Sequence, residues 1–365
     1  MRDVGCSEGD LFSFLSSKRQ DDLGYQRILS SMCTPPHPVA VRAHAMFLET
    51  NLGDPGLFPG TSALEDLLVE RLGSLMHHPD AGGYATSGGT ESNIQALRIA
   101  KKLKPVNHPN VVMPASGHFS FTKACDMLGL EARTVPLDRE FRMDVEMVED
   151  LVDANTIALV GVVGTTEYGM VDPIARLSEI ALDRDLFLHV DAAFGGMVVP
   201  FLDRPIPFDF RLPGVSSISI DPHKMGMSTI PAGCLLVRDP AWFSSLNVDT
   251  PYLTVKRECT LAGTRPGAPV AAAVAVLEYM GRDGMEAVVS GCMENCRRLI
   301  EGMETLGYPR AVTPDVNVAT FHCKRAPRGW RVSTTRQGHM RIVCMPHVTR
   351  DVVEEFLADM CDLNA

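Results

Sequence analysis

Five short stretches hold the residues whose types and spacing could do chemistry. In SSISIDPHKMGM (216–227), an alternating run ends in Asp221, Pro222, His223 and Lys224. The alternation predicts a short strand with the lysine just beyond it. A lysine that attacks a carbonyl needs a desolvated amine of lowered pKa; taken alone, Lys224 reads as a solvated loop residue. HVDAAFGG (189–196) sets Asp191 just past a second strand. A buried carboxylate there needs a cationic partner, and a pyridinium N–H is one. Ala192 and Ala193 are small enough to let a flat ring lie close, and His189 reads as a core histidine held by hydrogen bonds. Ser87-Gly88-Gly89-Thr90 opens a helix, where bare backbone N–H groups and the helix dipole favour an anion. It lacks the lysine of a P-loop and the full dinucleotide spacing, so alone it is a glycine turn with Thr90 as a cap. SGHFSFTKA (116–124) offers His118 to stack on a flat ring, and VGTTEYG (163–169) puts Thr165 and Thr166 at a strand end.

The elements that must position these residues alternate. Helical patterns separate the runs NVVM (110–113), TIALVGVVG (156–164), LFLHV (186–190), SSISI and GCLLV (233–237). Continuous apolar strands between helices imply an α/β protein with a mostly parallel central sheet covered on both faces. In such sheets ligands bind beyond the carboxyl ends of the strands, where all five stretches fall. Ser62 and Glu65 have capping-box spacing before Leu64, Leu67, Leu68, Leu72 and Leu75, which predicts a helix starting there. Helices are also expected over 145–153, 173–183, 268–281, 284–306 and after Thr349. We expect an N-terminal arm over 1–45, a large domain over 46–267 and a small α+β domain over 268–365.

Composition narrows the function. Hydrophobic residues make up 45% and charged residues 22% of the 365, ordinary for a globular chain with a sizeable core. The net charge of −11 argues against nucleic-acid and membrane-surface binding, which need a basic face. The 10 cysteines are scattered with no CxxC pair, so no structural zinc or other metal is expected. MRDVGCSEGDLFSFL lacks the apolar run of a signal peptide, and free thiols fit a cytoplasmic protein.

A lysine for a carbonyl, an aspartate for a ring nitrogen and a glycine-rich helix start for a phosphate together match the needs of pyridoxal 5′-phosphate. TSGGTESN, HVDAAFGG and SIDPHKMG resemble the pyridoxal-phosphate-dependent group II amino-acid decarboxylases, of fold type I in the aminotransferase-like superfamily. NLGDPGLFPGT (51–61), DTPYLTVKRECTLAGTRPG (249–267) and MRIVCMPHVT (340–349) are most similar to the archaeal-type L-tyrosine/L-aspartate decarboxylases.

This resemblance implies roles. Lys224 matches the Schiff-base lysine, Asp191 the partner of the pyridine nitrogen, and His118 the histidine stacked on the ring, with Ala193 on the other face. Ser87, Gly88 and Gly89 match the phosphate turn, Thr166 a threonine near the ring substituents, and His223 a phosphate contact and candidate proton donor. Tyr252 is a second candidate proton donor, Arg341 matches a substrate-carboxylate arginine, and Thr264 matches a residue reaching the phosphate across a dimer interface. The implied protein is a homodimer acting on a small L-amino acid: tyrosine, giving tyramine for methanofuran, or aspartate, giving β-alanine for coenzyme A. Glutamate, or a phosphorylated amino alcohol cleaved by a lyase of the sphingosine-phosphate type, stays open as substrate. A second arginine in the pocket (Arg42, Arg265 or Arg336) would favour aspartate.

Overall fold

A computed structural model describes residues 1–363. The chain opens with α1 (Glu8–Gln20), α2 (Pro38–Met46) and α3 (Pro59–Leu75). Then follow β1 (Gly82–Thr86), α4 (Gly89–Leu103), β2 (Asn110–Pro114), α5 (Ser120–Leu128), β3 (Glu131–Val135), α6 (Val148–Leu151), β4 (Thr156–Val162), α7 (Ile174–Asp183), β5 (Phe187–Asp191), β6 (Val215–Ile220) and β7 (Gly233–Val237). A two-strand ribbon, β8 (Val248–Asp249) and β9 (Arg257–Glu258), precedes the long helix α8 (Ala268–Thr305). The chain ends with β10 (Val318–Phe321), β11 (Ser333–Thr334), β12 (Met340–Val343) and α9 (Arg350–Asp362).

The large sheet has the order β1-β7-β6-β5-β4-β2-β3. β7 runs antiparallel to both of its neighbours, and the strands from β6 to β3 pair in parallel. One apolar core fills the face toward α3, α7 and the first part of α8, with Leu68, Leu72, Leu159, Leu177, Leu188 and Val274. A second core, with Leu97, Ile99, Phe121, Val160 and Leu235, fills the face toward α4 and α5. This is the mostly parallel, doubly covered sheet that the apolar strand runs require. A third core lies between the small sheet β10-β12-β11, α9 and the end of α8. No helix among the described residues is long and apolar enough to cross a membrane.

Two local expectations change. The Ser62–Glu65 capping box does not form: Pro59 sits in the first turn and α3 starts there, putting Ser62 inside the helix. Glu65 instead accepts from the Ala85 N–H (2.8 Å) and pairs with buried Arg265. Over 145–153, Val145–Met147 is a 3-10 turn and only Val148–Leu151 is α-helical.

Candidate active site

The parallel strands deliver their carboxyl ends to one edge of the sheet, and the chemistry collects there. Past β1, Gly88 caps α4 with φ +146°, a conformation that glycine alone adopts readily. The approach around it is tight. A Cβ on Gly88 would lie 3.1 Å from His223 Cε1, and one on Gly89 would lie 2.9 Å from Ala193 Cβ. The start of α4 is thus a glycine cradle at the positive end of a 15-residue helix, suited to a phosphate, although the Ser87 N–H is given to Glu91 Oε2 (2.8 Å) and the Gly88 N–H to Thr86 Oγ1 (3.3 Å).

Asp191 ends β5 and is buried. Its Oδ1 accepts from the Ala193 N–H (3.1 Å) and the Ser219 hydroxyl (3.3 Å), and its Oδ2 accepts from Asn93 Nδ2 (2.9 Å). Past β6, Lys224 Nζ lies 3.0 Å from Asp221 Oδ2, and His223 Nε2 lies 3.7 Å from the same oxygen. Asp221 Oδ1 is buried and has no partner. The lowered lysine pKa expected from the sequence is not what the structure gives. Burial pulls the amine's pKa down, but the Asp221 and Asp191 carboxylates outweigh it and raise it. The His223 ring pKa is lowered, chiefly by burial.

Past β2, His118 Nδ1 accepts the Ser120 N–H (3.2 Å), which leaves Nε2 for a ligand. Burial lowers its pKa against the pull of Asp191. Its ring lies 4.0 Å from that of Phe119. Thr166 follows the turn after β4.

A cavity of about 320 Å³ joins these strand ends, at the lower end of the roughly 300–1,000 Å³ typical of ligand pockets. Its lining includes Lys224, His223, Asp191, His118, Ser87, Gly88, Gly89, Thr166 and Ala193. A larger cavity of about 590 Å³ lies elsewhere, and its Arg142 and Arg204 are already paired with Asp315. The strand-end cavity is the one with the chemistry.

Three expected residues lie outside that lining. Tyr252 is 85% exposed, on the loop between β8 and β9. Thr264 is exposed and packs its backbone close to Gly53. Arg341 is buried on β12, where Nη1 donates to Ser333 Oγ (2.8 Å) and Nε has no partner. Burial pushes its pKa down to about 10 while Glu167 opposes. Of the three arginines considered for a second substrate contact, Arg265 is committed to Glu65, Arg336 pairs with Glu167 (3.2 Å), and Arg42 is exposed.

Sequence reasoning missed Asn93 and left Asp221 without a role. Asn93 stands four residues after Gly89, one helical turn on. His189 and Asp191 are two apart on one strand and so share a face. β5 and β6 register His189 with Ser217 and Asp191 with Ser219. The spacing held that information, but only the pairing of the two strands makes it readable.

The residues fit pyridoxal phosphate. The glycine cradle is held open by its neighbours, a ring-nitrogen acceptor is buried at Asp191, and Asp221 keeps a free buried oxygen beside the amine. A fold-type I sheet with this lysine, aspartate and anion cradle defines the pyridoxal-phosphate-dependent enzymes. Residues 51–319 match the model of the pyridoxal-dependent decarboxylase conserved domain. The chain belongs to this family, and pyridoxal phosphate is its cofactor. It is 84% identical over 365 residues to a probable L-tyrosine/L-aspartate decarboxylase from Methanoculleus marisnigri, covering 100% of both chains. It is 50% identical over 359 residues to a probable L-aspartate decarboxylase from Archaeoglobus fulgidus, covering 96% of this chain and 98% of that one. Among solved structures, a sphingosine-1-phosphate lyase from Burkholderia pseudomallei superposes with a TM-score of 0.90 at 28% identity, over 99% of this chain and 91% of the other. A glutamate decarboxylase from Lactobacillus brevis gives 0.91 at 21% identity, over 99% and 93%, and shows the shared fold.

Proposed function

We propose that this decarboxylase acts on L-tyrosine and L-aspartate, releasing CO₂ and the amine. The observation that carries the site is the meeting of Lys224, Asp191 and the Gly88–Gly89 cradle in one cavity. The substrates follow those named for relatives that match this chain along all or nearly all of its length.

In this reading Lys224 would hold the cofactor at its aldehyde end and Asp191 at its ring nitrogen. The Ser87–Gly88–Gly89 turn, with His223 beside it, would hold its phosphate through the Ser87 hydroxyl and the Gly89 N–H, since the Ser87 and Gly88 N–H groups are given to Glu91 Oε2 (2.8 Å) and Thr86 Oγ1 (3.3 Å). His118, Ala193 and Thr166 line the same cavity and would contact its ring. When bound, pyridoxal phosphate supplies an electron sink for the bond broken at Cα. Asp191 keeps the ring nitrogen protonated, because a carboxylate beside a base raises its pKa.

Arg341 takes the substrate carboxylate. It is a buried cation with a free Nε and no carboxylate within ion-pair distance among the described residues. The Cα–carboxylate bond breaks, CO₂ leaves, the electron pair stays behind, and one proton replaces it at Cα. His223 lies inside the cavity lining and is the donor within the chain. Tyr252 and Thr264 serve a homodimer in which each reaches the partner's site; both are exposed in the single chain. The setting is cytoplasmic, in keeping with ten unpaired thiols. The amines formed are the tyramine and β-alanine expected above.

The test is CO₂ release by the cofactor-loaded protein with tyrosine, aspartate and glutamate supplied separately. Release from tyrosine and aspartate, with little from glutamate, is the expected result. Release from glutamate alone would overturn the substrate assignment and leave the cofactor site standing.

A further inference from the structure

Asp191 stands at the end of a buried chain of polar groups. Ser217 Oγ lies 2.8 Å from His189 Nδ1, and His189 Nε2 lies 2.9 Å from Asn93 Oδ1. Asn93 Nδ2 then donates to Asp191 Oδ2 (2.9 Å) and also to Ser120 Oγ (3.0 Å). Ser217, His189 and Ser120 have no exposed surface, and Asn93 has 1%. Buried polar groups are costly unless every member of the network is satisfied.

The directions follow from the chemistry of the groups. An ionised carboxylate only accepts, so Asn93 turns its NH₂ toward Asp191 and its carbonyl toward His189. That carbonyl needs a donor, which puts the imidazole proton on Nε2. Burial keeps the ring neutral, with a pKa near 4, so Nδ1 carries no proton and accepts from the Ser217 hydroxyl. From Ser217 through His189 to Asn93 each group therefore donates toward Asp191, with the second Asn93 N–H going to Ser120 Oγ, and each hydrogen bond polarises the next. Lys224 and His118 are the titratable groups that feel the Asp191 charge from the cavity side.

We infer that Ser217, His189 and Asn93 form a one-way hydrogen-bond relay that holds the Asp191 carboxylate in place as the acceptor for the cofactor's ring nitrogen. His189 is then a positioning residue that lies outside the cavity lining and acts through Asp191, while Asn93 links the two at the cavity wall. The inference rests on the assignment of Asp191 made above. A network that served only to satisfy a core histidine would affect stability and leave the cofactor's protonation unchanged.

The experiment titrates the cofactor-free full-length protein with pyridoxal phosphate carrying ¹⁵N in the ring. It reads the dissociation constant and the ¹⁵N chemical shift, which reports protonation of that nitrogen directly. The wild type is expected to bind a protonated ring. His189→Met keeps bulk and removes the N–H, so affinity should fall about tenfold and the signal should move toward the unprotonated position. His189→Gln restores an N–H where Nε2 stood and should return affinity to within roughly threefold of wild type.

Asp191→Asn is the control. If it shifts the nitrogen signal and folded His189→Met does not, the relay is wrong and the site stands. If Asp191→Asn leaves the signal in place, the Asp191 assignment fails and the relay fails with it. Failure of His189→Gln to recover would also overturn the relay, because N–H donation would not be the cause. Should His189→Met not fold, Ser217→Ala decides: a smaller change in the same direction is expected, and no change overturns the proposal.

Discussion

Lys224 is held between opposing demands. Burial favours the neutral amine, while Asp221 at 3.0 Å favours the cation. We expect Lys224→Ala to keep the circular-dichroism spectrum of the wild type, since Asp221 retains His223 nearby. Turnover should fall by about a thousandfold or more; near-normal turnover would remove Lys224 from the mechanism. His189 carries a second prediction. Its ring stays neutral in the fold down to a pH of about 4, while the unfolded chain takes up a proton below about pH 6.5. The unfolded state therefore binds more protons in that window, and stability falls as pH drops from about 6.5 toward 4. The full effect is on the order of 3 kcal/mol. In His189→Gln this part of the acid slope should vanish from denaturant unfolding curves; an unchanged slope would assign the acid sensitivity to other groups. Lys224 and Asp191 were legible in the sequence because each follows a strand inside a distinctive motif. Asn93 was not, because its role exists only once α4 lies against β5.

At the scale of elements, legibility followed burial. GCLLV over 233–237 and the strand at 110–113 were readable as apolar runs and form β7 and β2. β3, Glu131–Val135, lies at the sheet edge with a largely exposed face and no apolar signature. β1 opens with two glycines and has no apolar run, and Gly83 needs its missing side chain: a Cβ there would sit 2.6 Å from the Leu235 carbonyl oxygen. The expected break between helices at 281 and 284 appears as a kink in α8 at Gly281, with φ 59° and ψ −169°. No atom would crowd a Cβ at Gly281, so the cost of a side chain there is backbone strain alone. Gly281→Ala should lower unfolding free energy by about 1–3 kcal/mol with turnover preserved. A stability equal to wild type would mean the kink is relaxed in solution.

At the scale of the molecule, the fold class was readable because helix and strand periods alternate, whereas the surface was not. α1 buries none of its residues and exposes Leu11, Phe12, Phe14 and Leu15. In the homodimer reading this arm covers a second copy. Replacing Phe12 and Phe14 with serine should then shift sedimentation toward monomer and lower turnover together, and an unchanged dimer would free the arm from that role. α8 shapes the molecule in another way. Its first part, with Val270, Ala273, Val274 and Val289, belongs to the core under the large sheet, and its last part, with Cys296, Leu299 and Met303, to the core of the small sheet. A chain started at residue 268 would therefore begin with an apolar stripe and no sheet to cover it. Such a fragment should aggregate on expression, where one cut within the exposed arm should stay in solution.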